Sequence, residues 1–189
     1  MNTFQLKNHS YYSLFDLNSR ENELLYFKMK NKYEYLFTEK EKVAFISLLN
    51  EKLNKISHWC ITNTIVVPET SNYLLKSFLI STGKKIIYLQ KNSKEKIIES
   101  IQQQPMMKSE AKKLFSSLNN MKTIKIADIA GNQRKRFQTC LFNDISEQNM
   151  DTDIVFLDDS IFSGNTFLAA QEKLKNFNVT NIILFNKNL

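Results

Sequence analysis

The sequence predicts an α/β fold: a mostly parallel sheet flanked by helices, with a helical N-terminal appendage. Two observations predict it. Strand–helix–strand patterns occur twice, over residues 61–89 and 153–185, and that order implies parallel pairing through a crossover helix. The runs Ile61–Val67 and Ile154–Leu157 are rich in β-branched and apolar residues, as expected of strands covered on both faces. The expected division is an N-terminal arm and helical hood over 1–55, then an α/β core over 56–189.

In chain order, residues 1–20 are aromatic and irregular and read as an extended arm. Tyr11, Tyr12 and Phe15 offer either a stacking platform or a packing contact. Residues 21–55 read as helix. Val43, Phe45, Ile46, Leu48, Leu49 and Leu53 form an apolar stripe, and Thr38 with Glu41 fits a capping box for a second helix. Strand 61–67 ends at Pro68. A helix over 71–82 is closed by Gly83, and Lys85–Leu89 is the next strand. Residues 94–120 are helical with a break near Pro105, 124–129 read as a strand, and 130–150 as loop in which Phe137, Leu141 and Phe142 could pack. Strand 153–157 is followed by a helix over about 166–177, in which Phe167, Ala170, Leu174 and Phe177 share a face, and by a last strand over 181–185.

Composition narrows the function classes. The chain has 189 residues, 42% apolar and 24% charged, enough to bury a core and too apolar for a disordered segment. No run approaches the ~20 apolar residues of a membrane span, and the N-terminus carries no apolar leader, so a cytoplasmic protein with no membrane partner is expected. Cys60 and Cys140 form no pair and read as reduced thiols; His9 and His58 lack metal-ligand spacing. The net charge of +7 suits phosphate-bearing partners. Only Arg20, Arg134 and Arg136 of the 26 basic residues are arginine, which argues against direct base readout. The absence of GxxxxGK[ST] excludes a P-loop ATPase, and an acid pair followed by a single strand excludes a receiver domain.

The chemistry concentrates in Ile154-Val155-Phe156-Leu157-Asp158-Asp159-Ser160-Ile161-Phe162-Ser163-Gly164-Asn165-Thr166. Ligands of open parallel sheets bind at the carboxyl ends of strands. Asp158 and Asp159 stand at such an end, where both carboxylates are expected to reach one crevice. Adjacent anions need a partner: vicinal hydroxyls, a divalent cation, or both. The following loop turns into a helix start. Gly164 permits close backbone approach, and the first helical N–H groups with the Ser163 and Thr166 hydroxyls make an anion site. A sugar 5-phosphate matches a diol acceptor beside a phosphate loop.

This segment resembles the PRPP-binding motif of type I phosphoribosyltransferases: four apolar residues, two acidic, a short stretch, then Ser-Gly-x-Thr. Ser160 stands where an apolar residue is commoner, and Ser163 replaces the usual threonine. Residues 65–69 and 86–91 resemble the strand–helix–strand unit on the pyrophosphate side, and residues 24–53 faintly resemble the helical lead-in of the ComF-like branch. The resemblance implies transfer of a phosphoribosyl group from PRPP, or a related phosphoribosyl compound, to a nitrogen nucleophile with release of pyrophosphate. It implies that Asp158 and Asp159 hold the ribose hydroxyls and that Ser160, Ile161, Phe162, Ser163, Gly164, Asn165 and Thr166 grip the 5-phosphate. Mg²⁺ would be held through substrate and water near the acid pair, with no direct protein ligand. Lys91, Arg134 and Arg136 would face pyrophosphate, with the segment 92–135 as a mobile cover.

Other readings stand beside these. Lys91 and the Arg134–Arg136 turn also read as solvated basic residues, and Glu69 as a first-turn helix acid. The alternative function is a regulatory or effector subunit of a nucleic-acid-associated assembly, for instance defence- or toxin-like, without base salvage. Residues 1–55 would then offer a surface for self-association or for a protein partner, and the basic surface a nucleic-acid contact.

Overall fold

The computed structural model describes residues 2–32, 35–70, 72–121, 124, 129–145, 150–162 and 164–187. Among these the chain is α/β, with a mostly parallel sheet of six strands. It divides into two compact units: Met1–Tyr88 with Ser146–Phe162 and Asn176–Leu189, and Leu89–Ile145 with Ser163–Lys175.

The first unit carries the sheet, formed by β1 (Asn2–Leu6), β2 (His9–Asp16), β3 (Thr64–Pro68), β4 (Lys85–Leu89), β5 (Asp153–Ile161) and β6 (Asn178–Asn186), in the order β1-β2-β6-β5-β3-β4. β1 runs antiparallel to β2; the pairs β2–β6, β6–β5 and β5–β3 are parallel. The first residues are therefore two strands of the sheet, not an arm beside it. The reason is burial: Tyr11, Leu14 and Phe15 are interior, and β2 is laddered to β6 with Tyr12 opposite Ile182 and Phe15 opposite Phe185. The hairpin turns at Lys7, which takes a left-handed φ of 53°.

The helices of this unit are α1 (Arg20–Met29), α2 (Glu39–Leu53), α3 (Ser57–Ile61) and α4 (Tyr73–Ser81). The helical stretch expected over 21–55 is two helices, and Thr38 opens the second, as its capping pattern predicts. α2 buries Phe45, Leu49 and Leu53 and leaves Val43 at the surface. Their side chains join a core with Phe15, Trp59, Phe78, Val155, Leu157 and Phe185. Phe185 lies 5.0 Å from the Phe15 ring, 5.6 Å from Tyr26 and 6.4 Å from Phe45. Phe185→Ala should destabilise the protein by about 3–5 kcal/mol, read as a lower urea midpoint at unchanged slope.

The capping box is present: Thr38 Oγ1 accepts the Glu41 N–H and the Glu41 carboxylate accepts the Thr38 N–H. The Lys28 ammonium donates to Glu41, and this bond, with those from Thr38, pushes the carboxyl down from 4.5 to about 2. A depressed carboxyl stabilises the fold above its unfolded value and loses that contribution as the pH falls through its folded value. Glu41→Gln should therefore reduce the acid loss of stability between pH 4.5 and about 2 in thermal melts. The difference should shrink in high salt, because the group is solvent-exposed.

The second unit holds α5 (Lys94–Gln102), α6 (Lys108–Asn119), a 3₁₀ helix (Gly131–Phe137) and α7 (Asn165–Leu174). α5 buries Ile97 and Ile101, and α6 buries Leu114 and Leu118. In the stretch expected as loop the chain forms the 3₁₀ helix, and Phe137, Leu141 and Phe142 pack in the interior as their apolar character suggests. The strand expected over 124–129 lies outside the described residues save Ile124 and Ile129. No described helix is long and apolar enough to cross a membrane.

Candidate functional site

β5 does not stop at Leu157. It continues through the acid pair to Ile161, pairing Asp158 with Ile183 and Ser160 with Phe185 on β6. The Lys187 N–H donates to the Ile161 carbonyl at 3.2 Å and closes the ladder. Because Asp158 and Asp159 are successive strand residues, the pleat sends them to opposite faces. Asp159 shares the face of Val155 and Leu157, which belong to the core with α1 and α2; Asp158 follows Ile154 and Phe156 on the other. The expectation that both side chains enter one crevice from a strand end is corrected accordingly.

The two carboxylates have different surroundings. Asp158 is buried, 7% exposed, and its Oδ1 accepts the Asp159 N–H at 2.8 Å. Asp159 Oδ1 accepts the Ser160 hydroxyl at 2.8 Å, and Oδ2 accepts the Lys30 ammonium at 2.5 Å. Ile161 is buried, whereas Phe162 is 42% exposed and sets its ring 5.4 Å from Tyr26.

Lys30 did not stand out in the sequence. It is delivered by the end of α1, whose closure is fully built. Asn31 takes a left-handed φ of 49° and donates its N–H to the Lys28 carbonyl; the Lys32 N–H donates to that of Phe27. The Asn72 side chain donates to the Met29 carbonyl and also caps α4 through the Leu75 N–H. A lysine followed by asparagine at a helix end is the sequence signal for this arrangement. Its target, 129 residues away, leaves no local trace.

In the second unit, Gly164 is the N-cap of α7 with φ 69° and ψ −2°, a left-handed conformation that favours glycine. Its carbonyl accepts the Leu168 N–H at 2.8 Å, which opens the helix. The Asn165 side chain accepts from Gln138 at 3.3 Å, and Thr166 is half-buried. Ser163 lies outside the described residues. The acid pair and the glycine turn thus belong to different compact units and are continuous through the chain at 162–164.

Lys91 is exposed and bridges Phe142 through its backbone. Arg134 donates to the Ile129 carbonyl at 2.8 Å. Arg136 donates to the Pro105 carbonyl at 3.0 Å and to both oxygens of Glu110 at 3.1 and 3.2 Å. Such a two-oxygen grip gives Arg136 a bracing role between the 3₁₀ helix and α6.

Each oxygen of Asp159 accepts one protein donor, and Asp158 Oδ1 accepts a backbone N–H. Among the described residues, no three His, Cys, Asp or Glu side chains are set to share a metal ion. No protein-family model matches the chain, and the search of curated proteins found no significant match.

Proposed function

We propose that the protein binds PRPP or a related ribose 5-phosphate compound through the segment 154–166 and transfers the phosphoribosyl group to a nitrogen nucleophile. The observation that carries this reading is the order of parts in thirteen residues: a buried parallel strand, an acid pair, a left-handed glycine turn, then a helix start. Parallel strands deliver ligand groups at their carboxyl ends, and helix starts deliver N–H donors to phosphate.

The carboxylates divide the work. Asp159, with acceptor capacity beyond its two protein donors, accepts hydrogen bonds from the ribose hydroxyls. Asp158 holds the backbone of Asp159 by accepting its N–H. The N–H groups after Gly164 bind the 5-phosphate. In the transfer, the nitrogen forms its bond to C1 as the C1–oxygen bond breaks; pyrophosphate departs with the electron pair, and the nucleophile loses a proton to solvent. The ring gains positive character, and the nearby carboxylates favour that state electrostatically. Asp158 and Asp159 would hold magnesium only through substrate and water, and the ion would supply positive charge to the leaving pyrophosphate.

The test is a titration of PRPP into the protein with magnesium, followed by addition of candidate nitrogen nucleophiles while pyrophosphate is measured. Binding with release establishes the transferase and names the acceptor. Binding without release replaces transfer by a regulatory role, and absence of binding overturns the reading.

A further inference from the structure

We propose that Lys30 is the built-in counter-cation of Asp159, so that a ribose-type diol binds at this carboxylate without a divalent cation. This rests on the reading of the segment 154–166 given above. It concerns which positive charge the site uses, and assigns that task to a residue of α1.

Three observations carry it. The Lys30 ammonium lies 2.5 Å from Asp159 Oδ2, and both side chains are largely shielded, at 27% and 13% exposure. Its backbone is anchored on both sides: Asn31 and Lys32 donate to the Lys28 and Phe27 carbonyls, and the Asn72 side chain donates to the Met29 carbonyl. The ammonium also stands 5.9 Å from the Tyr26 ring centre, a favourable place for a cation. Asp159 is thus neutralised by a positioned group, unlike a surface ion pair between two mobile side chains.

The consequence is chemical. A carboxylate offers about four lone-pair sites, and here Lys30 and Ser160 occupy two. Two remain for hydroxyl donors, so a vicinal diol joins without displacing Lys30. A divalent cation coordinating Asp159 would have to expel the ammonium or sit against its charge. Lys30 is therefore a positioning residue that favours a neutral hydrogen-bond donor over a metal at this carboxylate.

The experiment is calorimetry of ribose 5-phosphate with the full chain, in EDTA and in magnesium. Wild type should bind with affinities equal within about twofold in the two buffers. Lys30→Met should lose about tenfold or more in EDTA and regain part of it in magnesium. Lys30→Arg should keep the wild-type affinity in EDTA. A wild-type affinity that needs magnesium overturns the assignment, as does a folded Lys30→Met protein that binds normally in EDTA. If Lys30→Met does not fold, Lys30→Gln takes its place, and the wild-type comparison decides by itself. Wild type that binds ribose 5-phosphate in neither buffer overturns the underlying reading of the site instead.

Discussion

The Asp158→Asn, Asp159→Asn double variant is expected to bind ribose 5-phosphate about a hundredfold more weakly than wild type, or not measurably. A hydrogen bond to a charged group contributes about 1.5–3 kcal/mol, and 1.4 kcal/mol is about tenfold in affinity, so two such losses give this scale. Asparagine keeps the volume of aspartate, and the Tm of each variant shows whether β5 has held. The single variants should differ. Asp159→Asn removes the carboxylate offered to the diol and frees Lys30 from its ion pair. Asp158→Asn leaves a side-chain oxygen able to accept the Asp159 N–H, so its loss should be the smaller. Equal affinity of the double variant and wild type would remove the acid pair from the site.

Gly164→Val should be the most damaging single change to the turn. At φ 69° a β-branched side chain meets backbone strain of about 1–3 kcal/mol, before any steric effect on a ligand. The expected result is a lowered Tm together with loss of ribose 5-phosphate binding. Gly164→Asn separates the two causes, because asparagine visits the left-handed region more readily. It should recover much of the Tm while its added side chain still hinders a phosphate against the N–H groups. If Gly164→Val binds like wild type, the glycine turn plays no part in ligand contact.

Where the pattern is local, the sequence was a good guide. Lys85–Leu89 is a strand with the expected bounds, the Thr38–Glu41 capping box forms as its residue types require, and α5 and α6 separate around Pro105. Gly83 follows α4 with φ 65°, as its place after the helical pattern implies. Local signals misled where tertiary pairing decides. Tyr11, Tyr12 and Phe15 look irregular because the β1–β2 turn uses Lys7 and Asn8 in place of a glycine pair; β2 is made a strand by its partner β6. Ile61 ends α3 and is 74% exposed, although its β-branched neighbours invite a strand from that point. β5 outruns its apolar stretch because β6 pairs with it through Ile161. At the site, the acid pair and glycine were legible from their spacing. Lys30 was not, and the engagement of Arg136 by Glu110 was not, since both depend on partners distant in the chain.

The sheet order also sets a timetable for synthesis. β2 has β1 at one edge and β6 at the other, and Tyr12 meets Ile182 only after 170 further residues have been made. Until then a strand bearing Tyr11, Leu14 and Phe15 leaves the ribosome with one edge unpaired. Such long-range parallel pairing is slow and exposes an adhesive edge to other chains. The nascent protein is therefore at greatest risk of aggregation during translation, when β1 to β5 exist and β6 does not. Slowing elongation ahead of residue 178 should lower soluble yield more than slowing it elsewhere.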